Sequence, residues 1–287
     1  MSIIERGRNG NIKVHKSSRS KQWLNLVLLV LVIVTVYGFI TIDTKNTDLG
    51  KAAVDTLRYF KTMFFEPRGV PSHFGASGEG SWAVLLAGLR VVLVTLSLAL
   101  LTTIVGSVIA LVLALFAARN ITNERTSYII KGFVAVIRAI PTVLWVLIFA
   151  IGAGLGSVAA VIGMSFHTIG YLMKAYSESF EELEPGVLEA LRAAGGNWFH
   201  VVFQAILPSS ITYILSWTFI RFEINFAVAV AMGAAAGAGG IGYQLYMAAG
   251  YFYDIREIGY ITYLILAVAL IMEIIATRLK KQYQLHE

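Results

Sequence analysis

The stretch "EALRAAGGNWFHVVFQAILP", from Glu189 to Pro208, is a polar, glycine-containing interruption between two long apolar runs. Its spacing predicts a short helix that begins after Pro185, ends at Ala194 and is followed by a Gly-Gly-Asn break at 195–197. A second helical segment then runs until Pro208. Taken alone, the stretch is a helix–turn–helix segment or simply a solvated connection between two membrane spans.

The apolar runs on both sides of this stretch place the protein in a membrane. The 287 residues are 57% hydrophobic and 14% charged, with a mean hydropathy of +0.72, whereas a soluble domain carries about 25% charged residues. A span needs about 20 apolar residues. Six segments qualify, at 22–42, 82–118, 128–152, 155–176, 206–232 and 258–279. The sequence therefore predicts an all-α bundle of six transmembrane helices.

These spans divide the chain into predicted regions. They are a basic N-terminus at 1–21, a first transmembrane helix at 22–42, an external loop at 43–81, a core at 82–281 with a cytoplasmic loop at 177–205, and a tail at 282–287. The external loop contains an amphipathic helical pattern over Asp48–Phe65, typical of an interfacial helix. The first apolar run is longer than the roughly 7–15 residues of a signal peptide and ends without a cleavage site. It is therefore interpreted as a retained span.

The distribution of basic residues predicts the orientation. With the N-terminus inside, fourteen of the 23 Lys and Arg residues fall in cytoplasmic segments, six in external segments and three within spans. This asymmetry places both termini in the cytoplasm. Six of the basic residues precede the first span, so the net charge of +6 is interpreted as attraction to anionic membrane lipid and not to nucleic acid.

The glycines that follow the fifth apolar run match the pattern of a dinucleotide-binding motif. Gly237, Gly239 and Gly242 have the spacing G-x-G-x-x-G, which functions between a buried strand and a helix, with an acidic residue about 20 positions further on. Here the glycines follow a transmembrane helix, and the next acids, Asp254 and Glu257, are too close. The glycines therefore indicate either close backbone packing or a re-entrant loop that lines a cavity.

Other kinds of site are excluded by composition. The chain has no Cys, which rules out disulfides, thiolate metal sites and cysteine nucleophiles. It has no G-x-x-x-x-G-K-[ST] motif, because Gly50-Lys51 lacks a Gly five positions earlier. The five His residues are scattered and form no predicted metal cluster. We therefore expect no catalytic residues, metal or cofactor in this chain.

The loop resembles the coupling segment of ABC-importer permeases, whose pattern is E-A-A, three residues, Gly, nine residues, Ile, any residue, Leu-Pro. The matching residues are Glu189, Ala190, Gly195, Leu207 and Pro208. Leu191 replaces the second Ala, and Ala205 stands where Ile is expected. In that family this helix docks on a separate ATPase subunit, so the resemblance implies a coupling role. Substitutions at Glu189 and Gly195 are expected to cost little stability, because the loop is exposed.

Further motifs resemble the phosphonate, phosphite and phosphate-ester branch of these permeases over about residues 80–281. In the order of that branch, they are "RAIPTVLW" (Arg138–Trp145), "HTIGYLMKAYSE" (His167–Glu178), "RFEIN" (Arg221–Asn225) and "GAGGIG". The chain departs from the branch near Ala227, where a basic residue is expected.

The resemblance implies a type I importer fold in a bacterial inner membrane and a set of partners. These are a second copy of the chain, ATPase subunits that bind ATP and Mg, and an external substrate-binding protein. The glycine segment would then be an external gate or a contact for the binding protein, through Gly237, Gly239, Gly240 and Gly242.

Three ionisable residues fall near the membrane midplane when depth is counted at about 1.5 Å per residue. They are Arg138, His167 and Arg221. A central Arg costs at least about 2.5–3.5 kcal/mol to insert, so each needs a partner or an aqueous cavity. Either the cluster is structural, with Glu223 paired to Arg138, or it lines a pathway for an oxyanion that guanidinium groups bind. Arg90, nearer the outer surface, is expected to snorkel.

The residues predicted to line such a pathway are Arg138, Pro141, Thr142, His167, Arg221, Glu223 and Asn225. Pro141 also predicts a kink in the third span. The main alternative function is an ion-coupled secondary transporter that uses Arg138, His167 and Glu223 as a relay. It lacks inverted repeats and leaves the coupling loop without a role. A membrane enzyme is disfavoured, because no nucleophile–base pair or metal set converges.

Overall fold

The computed structural model describes residues 4–6, 12–14, 18–41, 48–74 and 80–284. Most of the predicted N-terminal segment 1–21 and the end of the predicted tail, 285–287, lie outside these ranges. The chain divides into one unit up to Arg58 and a second from Tyr59 onward. The first unit contains a short antiparallel hairpin, β1 (Ile4–Arg6) and β2 (Ile12–Val14), followed by helix α1 (Ser18–Thr41). Apart from this hairpin, the regular structure of the described ranges is helical, as predicted.

The remaining helices follow in chain order. They are α2 (Leu49–Phe65), α3 (Ser81–Ala117), α4 (Glu124–Ala139), α5 (Thr142–Ala153), α6 (Ser157–Glu181), α7 (Pro185–Ala193), α8 (Trp198–His200), α9 (Leu207–Ala236), α10 (Gly240–Gly250) and α11 (Ile255–Gln284). A 3₁₀ turn, Pro71–Phe74, precedes α3. Helix α2 occupies the amphipathic segment of the predicted external loop.

The described helices provide five candidate membrane spans, and a sixth if the bent pair counts as one span, which is compatible with the predicted six. The five are single stretches long and apolar enough to cross a bilayer: Lys21–Thr41, Ser81–Ala117, Ser157–Glu181, Trp198–Ala236 and Ile255–Arg278. The sixth is the pair α4 and α5, whose axes meet at 86°. Helix α6 extends to Glu181, so residues 177–181 of the predicted loop are helical.

The bend between α4 and α5 is explained by Pro141, as expected. Proline has no backbone N–H, so it cannot donate the helical hydrogen bond to Ile137, four residues earlier. The indole Nε1 of Trp145 donates to the Ile137 oxygen instead, at 3.1 Å. Thr142 is the first residue of α5. The acceptor that the kink would otherwise orphan is therefore satisfied.

The helix after the glycine break continues through Pro208, whereas the sequence predicts its end there. Residues Val201–Ile206 form a π-helical turn, in which the Leu207 N–H bonds to the oxygen of Val202, five residues earlier. Such a turn absorbs the register change that Pro208 imposes at the second position of α9. The segment Trp198–Ala236 is consequently one long helix of 39 residues.

Helices α3, α6 and α9 pack together at the centre of the second unit, and glycines permit their close approach. A methyl group on Gly163 of α6 would lie 2.5 Å from the backbone nitrogen of Val146 in α5. One on Gly106 of α3 would overlap the side chain of Thr168 in α6. Buried alanines of α3, among them Ala99, Ala110 and Ala114, add to this tight contact.

Candidate functional site

The central helices bring the three predicted midplane residues into one region. Arg138 comes from the end of α4, His167 from the middle of α6, and Arg221 from the middle of α9. The Arg138 stem crosses α6 over Gly170, where an added methyl group would lie 2.6 Å from the Arg138 Cγ. Positions 167 and 170 share one face of a helix. The charges of Arg138 and Arg221 both act on the imidazole of His167.

Arg221 is a buried cation, with 3% of its surface exposed. Its Nε donates to the hydroxyl of Thr168 at 3.3 Å, and its guanidinium carbon lies 5.2 Å from the ring centre of Tyr171. The same Thr168 hydroxyl lies 3.1 Å from the Oδ1 of Asn225. The Asn225 Nδ2 donates to Thr103 of α3 at 2.9 Å. Thus α3, α6 and α9 are joined by a hydrogen-bonded chain that ends at the guanidinium group.

Neither guanidinium group in this region has a carboxylate partner. Among the residues that the structure describes, no Asp or Glu oxygen lies within 4.0 Å of Arg138 or Arg221. The Nδ1 of His167 is buried and has no hydrogen-bond partner within the same ranges. Arg138 is exposed, whereas Arg221 is buried, and a buried charge without a partner is costly. The cluster is therefore electrostatically suited to an anion.

Glu223 does not complete a structural ion pair with Arg138, so that alternative is wrong for this conformation. Glu223 lines a separate cavity of about 470 Å³ with Ala227 of α9 and Ile265 and Ala269 of α11. Residues two apart on a helix point in different directions, which separates Glu223 from Arg221. Asn225 shares the Arg221 face, as predicted, and is fully buried.

Sequence reasoning missed Thr103, Thr168 and Tyr171, which contact Asn225 or Arg221 directly. The signal that would have found two of them is a hydroxyl inside an apolar run, as in "LTTIVG" and "HTIGY". A hydroxyl on a transmembrane helix can bond its own backbone, which hides its role. Thr103 does so to the Ala99 oxygen at 2.7 Å.

The predicted coupling segment forms a short amphipathic helix, α7. Leu188 is buried in the core, whereas Glu189 and Ala190 are exposed. The helix ends in a Schellman motif: Gly195 N–H donates to the Arg192 oxygen at 3.0 Å and Gly196 N–H to the Leu191 oxygen at 2.9 Å. The exposed face of α7 is thus rigidly presented.

Gly195 has a conformational role that corrects one expectation. Its φ of 85° is in the left-handed region, which a β-branched residue adopts only under strain. Substituting Gly195 by Val therefore costs stability, even though the loop is exposed. Glu189 has helical backbone and carries no such constraint. Leu207 is half-buried and Pro208 exposed at the start of α9.

Helix α7 is tied to the ends of two membrane helices. The Arg192 Nη2 donates to the Asn120 oxygen at 2.6 Å, and the Asn120 Nδ2 donates to the Phe180 oxygen at 2.6 Å. Asn120 follows α3, and Phe180 lies in the last turn of α6. Two hydrogen bonds thus connect α7 to the turn after α3 and to the last turn of α6.

The glycine segment turns the chain back so that α10 packs on α9. Gly237 has a φ of 63° and Gly239 a φ of 83°. A methyl group at Gly242 would overlap the backbone oxygen of Val230, and one at Gly240 would overlap Thr95 of α3. The Ile241 N–H donates to the Thr95 hydroxyl at 2.9 Å. The positive φ explains Gly237 and Gly239, and close packing explains Gly240 and Gly242, while the gate remains a prediction.

Within the described residues, no group of three or more His, Asp or Glu side chains is arranged to hold a metal ion.

The chain matches a family model and resembles characterised permeases. The model described as "Binding-protein-dependent transport system inner membrane component" matches residues 106–283. The phosphate-import permease protein of Mycolicibacterium smegmatis is 29% identical over 188 residues, which cover 65% of this chain but only 34% of that protein. The phosphite transport system permease protein of Stutzerimonas stutzeri is 28% identical over 209 residues, 72% of this chain and 73% of that one.

The fold is shared with a solved transporter structure. An inward-facing methionine ABC transporter matches with a TM-score of 0.62 and 20% identity, over 71% of this chain and 99% of that one.

Proposed function

This chain belongs to the family of binding-protein-dependent transport system inner membrane components, and we propose that it carries a phosphonate or related phosphorus oxyanion. It is the membrane-spanning permease subunit of an ABC importer and resides in a bacterial inner membrane. The family is that of the permease, and the ATPase is a separate subunit. This assignment leaves the ion-coupled transporter without support.

The observation that carries the proposed substrate is Arg221. It is a buried cation held by a hydroxyl and an aromatic ring, with no carboxylate within 4.0 Å among the described residues. Within the described ranges, Arg138 supplies a second guanidinium group with no carboxylate within 4.0 Å, and His167 supplies a ring nitrogen with no hydrogen-bond partner. A guanidinium group bonds two oxygens of a tetrahedral oxyanion at once.

The names of the relatives agree with this chemistry. The Mycolicibacterium protein is named for phosphate import and the Stutzerimonas protein for phosphite transport. Phosphate, phosphite and phosphonates share a tetrahedral phosphorus with charged oxygens. The proposal is therefore limited to that class, and the relatives' cargo is transferred to this chain only as part of the proposal.

The proposed assembly contains two copies of the chain, two ATPases that bind ATP and Mg, and an external binding protein. The exposed face of α7, with Glu189 and Ala190, supports ATPase docking, because the Arg192–Asn120 bond links it to the membrane helices. The surface near Gly237 lies at the end where the charge count predicts the exterior.

Competitive uptake tests the substrate class. Cells that express the complete importer would be given labelled methylphosphonate, with unlabelled phosphite, phosphate, sulfate or methionine in excess. We expect competition by phosphorus oxyanions and none by methionine. The variant Arg221→Gln should lose at least tenfold in uptake, while Arg90→Gln, exposed on α3 and far from the cluster in sequence, should retain it. Competition by methionine alone would refute the proposal.

A further inference from the structure

A second basic site lies at the C-terminal end of α6, on the side predicted to face the cytoplasm. A cavity of about 380 Å³ opens between α4, α6 and the turn after α3. Its charged lining consists of Arg119, Lys131, Arg138, Lys174, Glu178 and Glu181. The volume is within the range of small-molecule sites.

The charges of this inner pocket do not cancel. Lys131 pairs with Glu181 at 2.7 Å, and Lys174 approaches Glu178 at 3.6 Å. Arg119 meets Glu181 only through its backbone N–H, at 2.9 Å, while its guanidinium carbon lies 5.1 Å from the ring centre of Tyr128. With four cations and two carboxylates in the lining, the pocket has a formal charge of +2. The guanidinium groups of Arg119 and Arg138 supply the excess.

Arg138 connects this inner pocket to the Arg221 region. It lines the pocket, while its stem lies against Gly170 and its charge acts on His167. Lys174 lies one helical turn beyond Gly170 and Tyr171, on the same face of α6. Four cations therefore lie beside successive parts of α6. In order toward its C-terminal end they are Arg221 of α9, Arg138 of α4, Lys174 of α6 itself and Arg119 from the turn after α3.

The inner pocket also adjoins the coupling helix. Asn120, next to Arg119 in the chain, accepts the Arg192 bond from α7. Asn120 also bonds Phe180, the neighbour of Glu181 in α6. A shift of α7 would therefore move Arg119 and Glu181, two lining residues of the pocket that are joined by a 2.9 Å hydrogen bond. The position of the coupling helix and the shape of the pocket are mechanically linked.

We propose that the inner pocket is a binding site for a tetrahedral phosphorus oxyanion, occupied on the cytoplasmic side after the anion has passed Arg221. The direction in which the anion travels rests on the proposed function, whereas binding of the anion in the inner pocket is independent of that function. Arg119 and Arg138, which supply the excess charge, bind the anion together with the loosely paired Lys174. Arg138 also borders the midplane region, and α7 changes the affinity by displacing Arg119.

Equilibrium binding tests the inner pocket without any transport. The full chain, purified in detergent, would be titrated with methylphosphonate in a calorimeter. The background variant Arg221→Gln removes the buried cation of the midplane cluster, so a further loss of binding when Arg119 or Lys174 is also changed reports the inner pocket. Arg119→Gln or Lys174→Gln in this background should weaken binding about tenfold, the loss expected for one charge-assisted hydrogen bond. Arg119→Lys should restore part of it.

The matched control is Arg125→Gln, which removes an equal charge from the exposed first turn of α4 outside the pocket. It should bind methylphosphonate as the background does. Elution volume and helical circular dichroism confirm that each variant is folded. Loss of all binding in Arg221→Gln alone, or equal weakening by Arg125→Gln, would overturn the inner site. If Arg221→Gln transports normally but Arg119→Gln abolishes binding, the inner site stands and the proposed midplane pathway fails.

Discussion

At the scale of single residues, the surroundings of Arg221 favour a transport pathway over a purely structural role. A buried Arg that stabilises a fold is normally paired, because an isolated charge is expensive to remove from water. Here its neighbours are Thr168 and Tyr171, and Asn225 completes the chain of hydrogen bonds to α3. These groups orient the guanidinium group without neutralising it.

Supplying a permanent anion beside Arg221 should block transport. In Asn225→Asp, a carboxylate would share the Thr168 hydroxyl with Arg221 and neutralise the guanidinium group. We expect uptake to fall at least tenfold, while the melting temperature of the purified chain is retained or raised. Glu223→Gln, on the same helix but facing another cavity, is the control and should transport normally. Normal uptake by Asn225→Asp would show that Arg221 is not on the pathway.

At the scale of elements, glycines set the distances between helices. Gly163 allows the backbone of α5 to lie against α6, and the bend at Pro141 brings α5 there. Gly132, in the middle of α4, has nothing within 4 Å of the place where a Cβ would be. Both residues are helical glycines, but Gly163 is packed against a neighbouring helix and Gly132 is not.

This difference predicts opposite effects of alanine. Gly163→Ala should destabilise the chain by about 1–3 kcal/mol, because the methyl group meets fixed backbone atoms. Gly132→Ala should be neutral or stabilise by about 0.5–1 kcal/mol through its helix propensity. Thermal unfolding in the same detergent measures both. Equal shifts of melting temperature in the two variants would contradict the packing of α5 on α6.

Helix α7 is the element proposed to receive the motion of the ATPase. Glu189→Lys reverses a charge on its exposed face, so it should leave the melting temperature of the isolated chain within about 1 °C, because surface substitutions change stability little. It should lower ATP hydrolysis stimulated by the binding protein severalfold. The control is Ala193→Lys, which adds a positive charge at the exposed end of the helix and leaves Glu189 in place. Unchanged stimulation in Glu189→Lys would make α7 a simple connector.

At the scale of the whole molecule, the sequence predicted a helical bundle with five single spans and a bent pair, because the length of each apolar run can be read along the chain. It also predicted the kink at Pro141 and the break after α7, because proline and glycine act locally. It did not predict the π turn before Pro208 or the folding of α10 onto α9. The π turn depends on the hydrogen-bond register of the helix, and the position of α10 depends on backbone contacts with α9. Neither can be predicted from a local sequence pattern.

The candidate site was predicted only in part, for the same reason. Depth counting found Arg138, His167 and Arg221, since each is charged in an apolar run. The separation of Glu223 from Arg138 and the contact of Thr168 with Arg221 depend on how α6 and α9 are rotated. Helix rotation is fixed by tertiary packing, as at Gly106 against Thr168.

The predicted orientation can be measured, because the chain has no Cys of its own. Tyr251→Cys, 69% exposed after α10, should react with an impermeant thiol reagent in intact cells. Phe199→Cys, 63% exposed beside the coupling segment, should react only after the membrane is opened. Ala238→Cys, 4% exposed, should react slowly from either side and serves as the buried reference. The reverse pattern would invert the topology.

Transport of phosphorus oxyanions past Arg221 can be measured in a reconstituted importer. Proteoliposomes containing the complete importer, with wild-type or Arg221→Gln permease, would be supplied with ATP and labelled methylphosphonate. We expect ATP-dependent accumulation with the wild type and at least a tenfold loss with Arg221→Gln, although the complex assembles normally. Equal accumulation by the two proteins would contradict transport past Arg221.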